Sequence, residues 1–439
     1  MRLLEFLEMY FEGIAPIFRD AILSGISSYF SVMSGNMQKE SGWEAIEHPN
    51  PIALTNRIID ELEKHRGYWH HNYSASSILD ACSNLVEDTA IASRLAALCI
   101  DFTDYQEKQC ADNTDLITIA INTRSGNIAS ASMILINNLL KNTMAIPDDL
   151  QKIITKYAEG SYKPCKAMIL QRLPYTQYKE PLFGWKVFNT IMRGDTDGLW
   201  HIAEPCLYYS YKNHFDTVRP VLDRIYNEAK GNEFECWGRI AALASLDGLI
   251  DSGTLLSQLE LKRDLCAWHG AAQVWTNYRN LLSCKKQCIE GIQAGLKQDI
   301  DIAGTVANEI TNIFFVDTLL SLPVEILAQY FHAISSPSNN YDRLSFRIGG
   351  WLKRHAERDP EYALKIAEMY SGYEKNKQYD IYDHENNFTQ LLTLLFKYAE
   401  DLEQTDNGKM LLRVVELQDF FLSKGVSQMK EWLKDAERP

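Results

Sequence analysis

The feature that most constrains this chain is a run of short amphipathic helical patterns between residues 112 and 310. They are separated by turn signals and contain no alternating strand pattern. A helix pair of this kind cannot bury its apolar face alone, so neighbours must stack into an array. Ile128, Ala131, Leu135 and Leu139 recur at steps of three or four, and Leu150, Ile153, Ile154 and Tyr157 supply the next stripe. Phe215, Val218, Leu222 and Ile225 form another, followed by Trp237, Ile240, Ala241 and Ala244. Small residues mark comparable points of successive pairs: Gly126, Cys165, Ala203, Gly238, Gly270 and Gly304 stand 39, 38, 35, 32 and 34 residues apart. Those spacings lie just below the HEAT range and overlap the tetratricopeptide period, whose signature residues are missing. The expected fold is all-α, an irregular HEAT-like α-solenoid of stacked antiparallel helix pairs with a polar C-terminal cap.

Three regions follow from the pattern: an N-terminal helical region over 1–110, central HEAT-like repeats over 111–335, and C-terminal helical repeats with a cap over 336–439. In the first, Leu4, Leu7, Phe11 and Ile14 recur at helical spacing, and Ile22, Ile26 and Phe30 continue after Pro16. A loop over 34–51 precedes a helix over 52–66. The central region ends in expected helices over 316–322 and 323–331, then a loop over 335–340. The C-terminal region reads as helices over 341–358, 360–371, 387–401, 409–424 and 426–436. Charged Glu416, Lys424, Lys430, Glu431, Lys434 and Asp435 on its last pair suit a cap that ends the array in water.

An apolar fraction of 46% is enough for a continuous core, and a net charge of −14 argues against a broad nucleic-acid surface. Nine scattered cysteines without paired spacing point to reduced thiols in a cytoplasmic protein. Glu5, Glu8 and Glu12 interrupt the apolar N-terminus, which therefore does not read as a signal peptide. No uncharged apolar stretch reaches about 18 residues, so no membrane span is expected.

Motifs for chemistry are missing from the sequence. It contains no phosphate-binding glycine loop, no nucleophile elbow and no zinc-helix spacing, so no enzyme activity, cofactor or metal is expected. His70 and His71, within the cluster Tyr68, Trp69, His70, His71, are adjacent, and adjacent histidines on a helix face apart. They read as an inter-helix loop without further ligands at usable spacing. Asp148 and Asp149, like Asp299 and Asp301, suit helix starts. The segment with the strongest recognition character is Tyr208, Tyr209, Tyr211 and His214, because three tyrosines this close cannot all point inward. Tyr379, Tyr382 and His384 form a second candidate.

Several blocks carry a family resemblance. Residues 120–129 look like an "A-x-N-x-x-x-G" entry to an Ala/Leu-rich helix, and Phe215 with Val218, Pro220 and Leu222 looks like an "F…V-x-P-x-L" segment. Residues 237–244 and 269–275 look like two further blocks in order. Asp419, Leu422, Gly425 and Val426 are in register with a "V-x-L-x-D-x-x-L-x-x-G-V" ending. Together they resemble the C-terminal helical-repeat region of large bacterial STAND-type NTPases of antiphage defence. The resemblance implies a sensor or scaffold arm that binds a protein partner: an NTPase or effector subunit, or a phage protein. This chain carries neither an NTPase motif nor an effector motif. The alternatives are an enzyme with a dispersed site in the solenoid groove and a helical-repeat nucleic-acid-binding arm.

Overall fold

The computed structural model describes residues 2–33, 50–108, 115–335 and 344–426. Among the described residues the regular structure is helical, with no strand. Local chemistry sets many of the helix starts. Asn50, Asn72, Asp88, Asp115, Thr123, Asp251, Asp264 and Asp299 each accept a backbone N–H of the first turn through the side chain. Each such cap is worth about 1 kcal/mol. The expected helix starts at Asp148 and Asp299 hold, and Asp359 caps the helix that Pro360 opens.

The chain divides into two compact units, Met1–Arg219 and Pro220–Pro439. In the first, the helices Pro16–Met33, Tyr73–Ser83, Arg124–Lys141, Lys163–Lys179 and Trp200–Tyr208 pack successively in one row. Thr89–Cys99, Asp148–Glu159 and Pro181–Ile191 pack successively in a second row against it. Arg124–Lys141 lies at the centre, with both flanks of its apolar sequence covered, and is buried along nearly its whole length. In the second unit, Phe234–Leu246, Leu265–Trp275 and Ile300–Thr311 form one row. Ser252–Lys262, Lys285–Leu296, Val324–Ile334, Pro360–Glu374 and Lys409–Ser423 form the other.

The spacing markers have a structural meaning. Gly126, Cys165 and Ala203 all fall near the starts of first-row helices in the first unit, and Gly238, Gly270 and Gly304 fall in first-row helices of the second. All six are buried. Smallness is required at Gly238 and Gly270, where a Cβ would stand 2.0 Å from the Ala267 carbonyl oxygen and 2.1 Å from that of Glu235. The helices Phe234–Leu246 and Leu265–Trp275 thus touch backbone to backbone, each through the other's glycine.

One expected helix is corrected. Residues 316–323 are irregular, not helical. Pro323 disfavours the helical conformation at residue 322, and side chains from later helices take the carbonyls that a helix would have used. Arg354 donates to the Val316 carbonyl at 3.0 Å, His355 Nε2 to Leu320 at 3.3 Å and the Tyr362 hydroxyl to Leu322 at 2.7 Å. Leu320 and Leu322 are buried beneath this strap. The last expected helix, 426–436, and the loop over 335–340 lie outside the described residues for all but their first position. Among the described cysteines none forms a disulfide; six are buried, and Cys266 and Cys284 are half-buried. No helix of the described residues is long and apolar enough to cross a membrane.

Candidate functional site

The tyrosine segment opens where the helix Trp200–Tyr208 ends, with Tyr209 as its C-cap residue. Tyr208 and Tyr209 are both exposed, the latter at 69%, and their rings meet edge to face at 5.1 Å. Tyr211 is half-buried and His214 exposed, while Ser210 between them is buried. A single turn, closed by the His214 N–H donating to the Ser210 carbonyl at 2.9 Å, gathers the four residues at one helix end. The second candidate is less open: Tyr379 and Tyr382 are exposed, but His384 stacks on Phe346 at 4.1 Å.

A larger exposed apolar surface lies at the N-terminal helix pair, Arg2–Tyr10 and Pro16–Met33. Leu4, Leu7 and Phe11 face inward and are buried. Glu8 fixes the pair on this side through a two-pronged ion pair with Arg57, at 3.0 and 2.6 Å. Phe11 stacks on His65 at 3.5 Å, and the Arg19 guanidinium lies over Phe11 at 4.1 Å. Outward, Leu3, Met9, Ile17 and Phe18 are 58, 67, 73 and 64% exposed, and Phe6 and Tyr10 lie 5.3 Å apart beside them. Between the two helices runs a groove of about 670 Å³ lined by apolar side chains, among them Leu3, Phe6, Ile14, Phe18 and Ile22. The helical spacing in the sequence picks out Leu4, Leu7, Phe11 and Ile14, all of which are buried, and leaves Leu3, Phe6, Met9 and Phe18 unassigned. The signal it passed over is that the apolar residues cover more than one stripe of the first helix.

A polar cleft of about 370 Å³ in the same unit is lined by Thr103, Tyr105, Glu107, Ser125, Lys156 and Tyr157, with others. Its charged groups are engaged locally. Glu107 accepts the Ser125 N–H at 3.1 Å, at the start of the helix Arg124–Lys141, and Lys156 donates to the Thr103 hydroxyl at 3.1 Å. Burial raises the pKa of the Tyr157 phenol well above its ordinary value, so it keeps its proton.

In the second unit, three first-row helices carry a polar ladder. Arg239 donates to the Gln273 side-chain oxygen at 2.9 and 2.6 Å and pairs with Glu235. His269 faces Glu235 through Nδ1 at 3.2 Å and Glu309 through Nε2 at 3.0 Å. Asn312 donates to the other Glu309 oxygen at 3.1 Å. Arg239 and Gln273 are 34 residues apart, one repeat, so the ladder steps from helix to helix at the spacing of the markers.

No family model, curated protein or solved structure matches this chain. The fold and its surfaces define an all-α protein of successively packed helices, with an open apolar groove and an exposed tyrosine cluster among the described residues.

Proposed function

We propose that this chain is a non-catalytic α-solenoid scaffold or sensor that docks a protein partner in the groove between its first two helices. The observation that carries the reading is the outward side of this pair: exposed Leu3, Phe6 and Phe18 line one groove, and Met9 and Ile17 are exposed on the same two helices, whose other face is already packed. Contiguous exposed apolar patches mark interaction sites. A groove between two helices suits an amphipathic helix with anchors at i, i+3, i+4 and i+7. Tyr208, Tyr209, Tyr211 and His214 offer a second contact area for the same partner. The block resemblance supports a place in bacterial antiphage defence, with an NTPase or effector subunit, or a phage protein, as the partner and the cytoplasm as the compartment.

A photo-cross-linking residue at Phe18 tests this directly. It should trap one defined partner segment with an apolar stripe, and Phe6→Asp should abolish the product. Cross-links that map only to a second copy of this chain would overturn the scaffold reading in favour of self-association. A product that persists in Phe6→Asp would remove the groove from the contact.

A further inference from the structure

We propose that His70, His71 and Asp104 form an open binding site for a zinc-class divalent cation, tying two loops of the first unit together. This goes beyond the partner-docking reading and does not depend on it. One ligand atom from each of the three residues lies within 4.8 Å of the other two. The third ligand was not legible in the linear spacing because Asp104 lies 33 residues beyond His71. Nor did that spacing show that neighbouring histidines could converge. They do so because the helix Arg66–Trp69 ends at His70, and His71 then adopts a left-handed backbone with φ of 56°. That turn swings the second ring back beside the first, so the two imidazoles lie 3.7 Å apart.

The site is already close to ligand geometry. His71 Nε2–H donates to Asp104 Oδ1 at 2.8 Å. Two ligand atoms on a tetrahedral ion with bonds of about 2.0–2.1 Å are separated by roughly 3.3 Å. An ion replacing that proton would need only a small opening of this pair and a closing of His70 onto it. His71 is held in place from behind. Arg124 Nε donates to its carbonyl at 2.7 Å, and the same guanidinium donates to the Tyr105 hydroxyl at 3.1 Å. Tyr105 and Phe102 flank the His71 ring at 5.0 and 6.1 Å. Such outer contacts fix ligand orientation before the ion arrives. They also keep the Arg124 charge on the carbonyl side of His71, and Arg66 is engaged by Asp101.

Two imidazoles and one carboxylate suit zinc and its late first-row neighbours, and suit magnesium or calcium poorly. Three protein ligands leave a fourth position for water or for a group from a partner. The left-handed His71 backbone is strained, and an ion bridging both loops would offset that strain.

The test is titration of the chelator-stripped full chain with Zn2+ and with Mg2+ by calorimetry, repeated on His70→Ala and Asp104→Asn. Both residues are exposed, so the variants should fold. The expected result is one equivalent of Zn2+ bound, no Mg2+ bound, and at least about tenfold weaker zinc binding in each variant. Co2+ loading adds a second readout. A spectrum without thiolate charge transfer places the ion on nitrogen and oxygen, whereas a thiolate band would move it to a cysteine and overturn the assignment. Absence of zinc binding by the native chain, or equal binding by both variants, would also overturn it.

Discussion

Gly270 lies against the carbonyl oxygen of Glu235 so closely that a Cβ there would stand 2.1 Å from it. Neither atom belongs to a flexible side-chain end, so accommodating a methyl group means separating two helices.

Gly270→Ala should therefore destabilise the second unit by about 1–3 kcal/mol or more. This is despite the roughly 0.5–1 kcal/mol that alanine gains over glycine in a helix. Gly372, in the helix Pro360–Glu374, has nothing within 4 Å of its would-be Cβ. Gly372→Ala should show the intrinsic gain alone. Urea denaturation of both variants checks the pair, and equal effects would refute the close-contact account.

The N-terminal pair separates packing from display. Leu7 is fully buried, so Leu7→Ala should cost about 2–5 kcal/mol. Phe18→Asp alters an outward residue and should change stability by no more than about 0.5 kcal/mol. It should also lower the binding of a hydrophobic dye. Thermal melts and dye fluorescence together distinguish the two faces.

The ladder predicts coupling across a repeat. His269 and Glu309 contact each other at 3.0 Å with half-buried side chains. A double-alanine cycle should return about 0.5–1 kcal/mol, within the range of one partly buried hydrogen bond. Additive single effects would mean that the ladder carries no pairwise energy.

Two buried groups give opposite pH slopes. Burial pushes the Glu61 carboxyl from its ordinary 4.5 up to about 7, with Lys64 opposing and Glu8 reinforcing the shift. Between those values the folded chain keeps a proton that the unfolded chain has released, so this group's contribution to stability is lost as pH rises from 4.5 to 7. Burial pushes His355 from 6.5 down to about 4 against the raising effect of its bond to Leu320. There the unfolded chain gains the proton first, so stability is lost as pH falls from 6.5 to 4. Glu61→Gln should remove the first slope and His355→Gln the second, read as urea midpoints across pH 4–7.5. Variants that leave the profile unchanged would show that neither group governs it.

The sequence by itself determined the helical class, because a 3.6-residue apolar period and Asp, Asn or Thr caps act within one helix and need no distant partner. It also carried the repeat spacing. A small residue is needed wherever two backbones touch, and Gly238 and Gly270 mark such points in the linear text. Tertiary structure decided the rest. The strap over 316–323 is irregular because Arg354, His355 and Tyr362, all distant in sequence, take its carbonyls. Leu3 is outside, while Leu4 and Leu7 are inside, because only one face of the first helix meets a neighbour. His70, His71 and Asp104 converge because a left-handed residue turns one loop towards another. The physical reason is range: helix propensity and capping are read from residues a few positions apart, whereas exposure and convergence depend on which surfaces meet.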